Sequence, residues 1–422
     1  MAPPTVLIIG CGVAGPVLAI LLKRKGYQPI VFEKVRELGT AGASLMVMSN
    51  GLKVFDLIGV ADDIKNESIP LAALWDARAS GEVLGQSTLP STFAEKYRQP
   101  ATGIKRTSLN LLLKNKVLEA GIEVREGWGL VDIQEHEDSV TATFSNGESV
   151  TGSFLIGCDG IKSASRVLLQ KQKGVEEGTP SFTGLTQGAK TAFLSETPEP
   201  LRDIAAMRNW YGDGVHVIAY PVGPTTMSWA LTQRETQERE ETWRPFTADE
   251  LKIQQDDLCR LLDGWDASIA QGVRSAERII KFGLFDRVEL KPEQWYSKRC
   301  VLVGDAAHPT SPHLGQGANQ AMEDCYHLST ALPNLSPDSE DYSKNLEVLG
   351  NTLSETIFHP FAEKRQPRTS ILVKGARALG ERRVAVGPEK GSERDQAIAQ
   401  SYEGDAAAVV AKFEGLLSQP FN

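Results

Sequence analysis

The chain has 422 residues, 54 Asp and Glu against 45 Lys and Arg, and a formal net charge of −9. That balance, with no Lys/Arg cluster to reverse it locally, excludes nucleic acid as the expected partner, and the length points to two closely joined domains rather than one core. Five cysteines at 11, 158, 259, 300 and 325 form no CxxC pair, so neither a disulfide framework nor a zinc cluster is expected.

The N-terminal Met-Ala-Pro-Pro-Thr leads into only four apolar residues, Val6 to Ile9, which is not the pattern of a signal peptide. No apolar run reaches the roughly 18 residues of a membrane span, so no transmembrane anchor is expected and a cytoplasmic location is the reading. Val6 to Ile9 is instead a strand covered on both faces. Gly10-Cys11-Gly12-Val13-Ala14-Gly15 follows directly, and Pro16 to Lys25 reads as a helix ending at Gly26. Gly10 permits the tight turn, Gly12 the approach of a pyrophosphate, and Gly15 the close packing of helix on strand, while the amides at the helix start face phosphate oxygens. A second strand, Ile30 to Phe32, delivers Glu33 where a carboxylate accepts both ribose hydroxyls of an adenosine and repels a 2′-phosphate. FAD or NAD is favoured over NADP at this position.

Segment 75 to 100 is expected to add strands or cover. Phe154 to Gly157 is a further apolar strand, running into Cys158-Asp159-Gly160 with Ser163 and Arg166 just beyond. Ser163 also has a reading that needs no ligand, as a helix cap. Val215 to Tyr220 alternates so that His216, Ile218 and Tyr220 share one face, and Gly223-Pro224 turns the chain into a returning strand, Met227 to Thr232. His216 and Tyr220 are the candidates to orient a polar substrate or move a proton, with Trp210 or Trp229 as a flat apolar wall. Packing of an aromatic sheet core explains the same residues without a substrate.

Val301 to Val303 leads into Gly304-Asp305-Ala306-Ala307-His308-Pro309, about 145 residues after the Asp159 turn and built like it. Pro312 to Asn319, with Gly315, Gly317 and Ala318, is expected to open a helix through Thr330 that contains Glu323 and Asp324. Its glycines admit a flat ring, and its positive end favours an anion. His308 and His313 have no accompanying ligand set, so no metal site is expected. Beyond about 335 the chain is helical, with Phe361 to Arg365 on a helix packing against the cofactor half and a terminal helix near Ala406 to Leu417.

These motifs together resemble the class A, single-component flavoprotein monooxygenases of the para-hydroxybenzoate hydroxylase fold, over positions 5 to about 370, and the overall texture resembles enzymes of fungal secondary metabolism. The resemblance implies that FAD is bound by Gly10, Gly12, Ala14, Gly15 and Glu33, by Arg36 and Ala43 in the segment after the ribose carboxylate, by Arg106, by Asp159 and Gly160, by Asp305, and by Pro312, Gly315, Gly317, Ala318 and Asn319. It implies an α/β fold with a Rossmann-like FAD-binding domain of residues 1–75, 100–170 and 285–370. An interleaved antiparallel-sheet substrate domain takes 76–99 and 171–284, and a C-terminal helical segment takes 371–422. The implied activity is reduction of FAD by NADPH or NADH as a transient reductant. Reaction with O2 through a flavin C4a-hydroperoxide then hydroxylates or epoxidises a soluble aromatic or indole-type molecule. Two other readings stay open: an FAD-dependent oxidoreductase of the same fold without oxygen insertion, and a non-enzymatic flavin-binding protein.

Overall fold

In a computed structural model of the chain, described over residues 3–37, 42–175, 187–194, 196–234, 246–285, 287–336, 341–403 and 413–421, the Val6–Ile9 run lies at the centre of a five-stranded sheet. Its strands lie in the order Cys300–Leu302, Phe154–Gly157, Thr5–Ile9, Gln28–Glu33 and Glu123–Glu126, all parallel. Val6, Leu7, Ile8, Phe154, Leu155 and Ile156 are fully buried, as uninterrupted apolar strands require when helices cover both faces. Helix Ala14–Arg24 supplies one such cover, burying Val17, Leu18 and Leu22. The chain leaves Thr5–Ile9 toward Gln28–Glu33 on one side and later returns on the other, so the strand order reverses there and opens a crevice at the carboxyl edge.

The second large sheet has seven strands, in the order Ile279–Gly283, Gln187–Leu194, Met227–Arg234, Val215–Pro221, Ala206–Tyr211, Ala73–Arg78 and Val83–Ser87. It is antiparallel except where Ala206–Tyr211 runs parallel to Ala73–Arg78, a strand contributed from far upstream by a crossover. The expected hairpin is present, pairing His216 with Thr232 and Tyr220 with Ser228. Helices Ala248–Leu261 and Ala267–Arg274 cover one face, where Trp210, Val217, Trp229 and Leu231 pack with Leu258 and Val273. His216, Ile218 and Tyr220 lie on the opposite face, toward the cofactor half. Trp210 and Trp229 are therefore not a wall beside His216 and Tyr220, because in a strand neighbouring positions face opposite ways and both tryptophans fall in phase with Val217 and Ala219.

A small antiparallel pair, Ser44–Val47 with Thr102–Lys105, links the two halves. Pro312–Leu314 forms only a 3-10 turn, ended by Gly315 in the left-handed region, and the helix itself is Gly317–Ala331, so it starts later than the sequence suggests. Helix His359–Arg383 runs unbroken across 370–371, where a segment boundary was expected, and Pro388–Glu403 follows. Of the terminal helix expected near Ala406 to Leu417, residues 406–412 lie outside the described residues, and 413–417 are helical.

Candidate cofactor cleft and substrate face

Ile9 pairs with Gly157 on one side and Phe32 on the other, and Gly157 pairs with Leu302. Gly10, Cys158-Asp159-Gly160, Gly304-Asp305 and Glu33 consequently leave the carboxyl edge of four adjacent strands. The glycines divide by what a side chain would meet. A Cβ on Gly10, whose φ is +105°, would lie 2.5 Å from the Cys158 carbonyl oxygen, and one on Gly15 would lie 2.0 Å from that of Gly10. A Cβ on Gly12 would meet nothing within 4 Å among the described residues. Gly10 and Gly15 are thus consumed by the fold, and the space at Gly12 fits an approaching pyrophosphate. No side chain caps the following helix, which keeps its first-turn amides available to an anion.

The Glu33 carboxylate accepts from the Cys11 amide at 2.9 Å and the Val35 amide at 3.0 Å, one on each oxygen. It thereby fixes the turn and still has lone pairs for ribose hydroxyls. Asp159 accepts from the Ser163 hydroxyl at 2.5 Å and the Ser165 amide at 2.9 Å, and burial raises its carboxyl. Ser163 is a helix cap as well, accepting from the Arg166 amide. The Arg166 side chain, fully buried, donates to the Ala307 and Val288 carbonyls and so ties the Asp159 turn to the Asp305 segment. Burial also pushes the Asp305 carboxyl up, against the opposing pull of His308 and Arg106. Arg106 is exposed at the start of its helix, and its amide donates to the Ala43 carbonyl at 3.1 Å, which brings Arg106, Ala43 and Asp305 to one side of the cleft. Arg36 is exposed and packs over Gly127.

Pro312, Gly315, Gly317 and Ala318 are exposed or half-buried along the cleft, but Asn319 is buried. Its side chain accepts from the Met48 amide and donates to the Met46 and Gly315 carbonyls. Asn319 therefore shapes the loop through its side chain. Behind it lies a network that sequence reasoning missed. Arg365 donates to Asp324 at 2.6 Å and to Glu323 at 2.8 Å, Arg368 adds a second cation to Glu323, and Asn50 donates to both Gln316 and Glu323. Asp324 also accepts from the Gly304 amide and pairs with His308 at 2.6 Å. These cations hold the Asp324 and Glu323 carboxyls below their usual range although burial alone would raise them. His308, stacked on Trp295, is thus a structural partner of Asp324. One signal was available: Arg365 stands four residues after Phe361 and three after Ala362, in phase with the buried stripe of its helix.

On the sheet face, the Tyr220 hydroxyl meets the Ser44 hydroxyl at 2.6 Å, and Ser44 meets Ser228 at 2.7 Å. Burial pushes the Tyr220 phenol up to about 12. His216 bonds through Nε2 to Asn209 Oδ1 at 3.0 Å, and its ring lies against Tyr211. Burial, then the charges of Arg383, His313 and Arg394, hold it well below the usual histidine range. With Nε2 as the donor, Nδ1 keeps a lone pair, buried and without a hydrogen-bond partner among the described residues.

The sequence profile of the family described as FAD binding domain matches residues 4–336. A 3-amino-4-hydroxybenzoate 2-monooxygenase of Streptomyces cremeus is 29% identical over 397 residues, covering 93% of this chain and 90% of that protein. The 3-amino-4-hydroxybenzoate 2-monooxygenase PtmB3 of Streptomyces platensis is 30% identical over 337 residues, covering 78% and 79%. Among solved structures, HpxO of Klebsiella pneumoniae complexed with FAD and uric acid has a TM-score of 0.79 at 21% identity, covering 98% of this chain and 96% of that one.

Proposed function

This chain belongs to the FAD binding domain family, and on that premise we propose that it uses NADPH or NADH and O2 to hydroxylate or epoxidise a soluble aromatic or indole-type molecule. It is a class A FAD-dependent aromatic monooxygenase of para-hydroxybenzoate hydroxylase-like fold. The observation that carries the finer reading is the pairing of a dinucleotide cleft, at the edge of four parallel strands, with a facing sheet that bears neutral His216 and Tyr220. The aminohydroxybenzoate in the names of two relatives and the uric acid in the HpxO complex support a flat ring as substrate. On this reading, residues 1–75, 100–170 and 285–370 hold FAD, and 76–99 with 171–284 hold the substrate.

Bound FAD would supply hydride acceptance and dioxygen activation. The residues of this chain do the rest. Gly10 to Gly15 and the uncapped helix start hold the pyrophosphate, Glu33 the ribose, and Asp305 the ribityl region, with Asp159 and Gly160 completing the edge. Arg36 and Arg106 are cations on the flavin side, and the backbone of Pro312 to Asn319 lies along the ring. His216 Nδ1 accepts a hydrogen bond from a ring hydroxyl or N–H, and the Tyr220 hydroxyl, hydrogen-bonded to Ser44, orients the polar edge of the substrate. With His216 shifted down and Tyr220 shifted up, neither group ionises between about pH 6.5 and 10, so kcat/KM is expected to show no inflection from this pair in that window. An inflection that disappears in His216→Ala would contradict it.

Turnover of candidate aromatics and indoles under isotopically labelled O2 tests the function. Label in the product is the expected result, whereas coupled turnover without label establishes the oxidoreductase that inserts no oxygen. FAD binding with no NAD(P)H oxidation on any substrate leaves a flavin-binding protein. His216→Ala and Tyr220→Phe are expected to keep FAD while lowering coupled product formation about ten- to a hundredfold and raising peroxide release. Wild-type coupling and product pattern in both variants would remove these residues from the site.

A further inference from the structure

The C-terminal residues 413–421 pack into the apolar cluster that Tyr220 borders. Phe413, Leu416 and Leu417 pack into a cluster with Met46, Phe93 and Tyr97, and this cluster also takes in Leu74, Met207 and Tyr220 from the face that carries the proposed substrate contacts. Met46 in turn borders Gly315 of the loop along the ring position. The segment is thus apolar on the side facing this cluster, and its Glu414 pairs with Lys96 at 2.7 Å.

One buried ammonium holds it there. Lys53, only 4% exposed, donates through Nζ to the carbonyls of Leu417 at 3.0 Å, Ser418 at 2.9 Å and Phe421 at 3.0 Å. These carbonyls have no helical partner once the short helix ends, so the cation both satisfies them and complements the negative end of the helix dipole. Arg368 reaches the same segment at the Gly415 and Leu416 carbonyls while bonding Glu323, and Glu323 accepts from Asn50, which donates to Gln316 in the turn that precedes helix Gly317–Ala331. Lys53 and Asn50 sit one turn apart on helix Ser49–Leu57. The seat of the C-terminal segment and the seat of the flavin loop therefore share one helix and one carboxylate.

We propose that residues 413–421 are the outer wall of the substrate chamber and help select what fits in it, and that Lys53 is the positioning residue that keeps this wall closed over the flavin. The proposal rests on the monooxygenase reading for its substrate but not for its geometry. An apolar wall at the Tyr220 end favours a substrate whose far edge is uncharged, and its closure keeps water from the place where bound FAD would activate dioxygen.

The test uses the full-length holoenzyme and its Lys53→Met and Lys53→Arg variants. Lys53→Met keeps the apolar stem and removes the three donors. It is expected to speed hydrogen exchange at 413–421, increase iodide quenching of the bound flavin's fluorescence, and raise substrate KM about tenfold with more peroxide released. FAD content should stay unchanged, and Lys53→Arg should restore most of the effect. Faster exchange at 413–421 with unchanged quenching and KM would overturn the proposal, since the segment would then be cover without a part in the chamber, and unchanged exchange would overturn the role of Lys53. Should Lys53→Met fail to fold, Phe421→Ala loosens the segment from its own side, where the Phe421 ring packs tilted against Tyr326, and supports or overturns the wall by the same readings. Exchange and quenching need no turnover, so a failure of the oxygenase reading and a failure of this one are told apart.

Discussion

Replacing Arg365 with methionine is expected to destabilise the chain by about 3–5 kcal/mol, the largest stability loss of any single substitution considered for the cleft. Arg365 is 1% exposed and its partners Glu323 and Asp324 are fully buried. Removing the cation leaves two carboxylates in a water-free interior, with Arg368 and His308 as the remaining counter-groups. The sign of the pH response identifies the cause. In the native chain both carboxyls are held below their usual values, so their contribution to stability is complete above the ordinary carboxylate range and is lost as pH falls through the lowered folded values. Without Arg365 each carboxyl loses one of its lowering influences while His308 stays on Asp324 and Arg368 on Glu323, so both folded values move up from their native positions. Their contribution above the ordinary range is then smaller, and what remains of it is lost at a higher pH as pH falls. Urea unfolding at pH 7.5 and pH 3 reads the difference: the stability gap between the native chain and the variant should be full at pH 7.5 and should narrow as pH falls toward 3. A loss under about 1 kcal/mol, or equal pH slopes in both proteins, would contradict the assignment.

Why Arg365 escaped the sequence reading, while Gly10 to Gly15 did not, is a matter of range. The glycine turn, the helix after it and Glu33 are consecutive, and each residue type answers to a local requirement of backbone or charge, so strand, turn and helix were legible together. The Asp159 and Asp305 turns were legible singly, as apolar strands running into Gly and Asp. Their adjacency was not, because strand order depends on how the roughly 145 residues of intervening chain pack. The hairpin shows the same limit within a sheet. Alternation correctly grouped His216 with Tyr220 and Trp229 with Leu231, but which group faces the cofactor depends on where helices Ala248–Leu261 and Ala267–Arg274 settle. That the Asn319 side chain braces the Met46 to Met48 segment some 270 residues upstream left no local signal either. The seat of 413–421 on Lys53 is longer still in range and left no local pattern to read.

Gly12→Val is expected to separate cofactor binding from folding, with an apparent FAD affinity about a hundredfold weaker, or about 2.7 kcal/mol, in a chain of nearly native stability. The three glycines of the turn are alike in sequence and unlike in surroundings. A side chain at Gly10 or Gly15 would drive into backbone at 2.5 Å and 2.0 Å, and at Gly10 it would also force a non-glycine residue to φ +105°, so substitutions there should lower the unfolding midpoint before FAD is considered. At Gly12 the added atoms meet no described protein atom and project into the space where the pyrophosphate would lie. Apo-protein melting and FAD titration by flavin fluorescence should therefore move in opposite proportion across the set. Gly12→Val should keep the apo melting midpoint and lose affinity, whereas Gly15→Val should lose the midpoint itself. Native FAD affinity in Gly12→Val would place the pyrophosphate elsewhere, and with it the whole edge formed by Glu33, Asp159 and Asp305 would lose its assigned ligand.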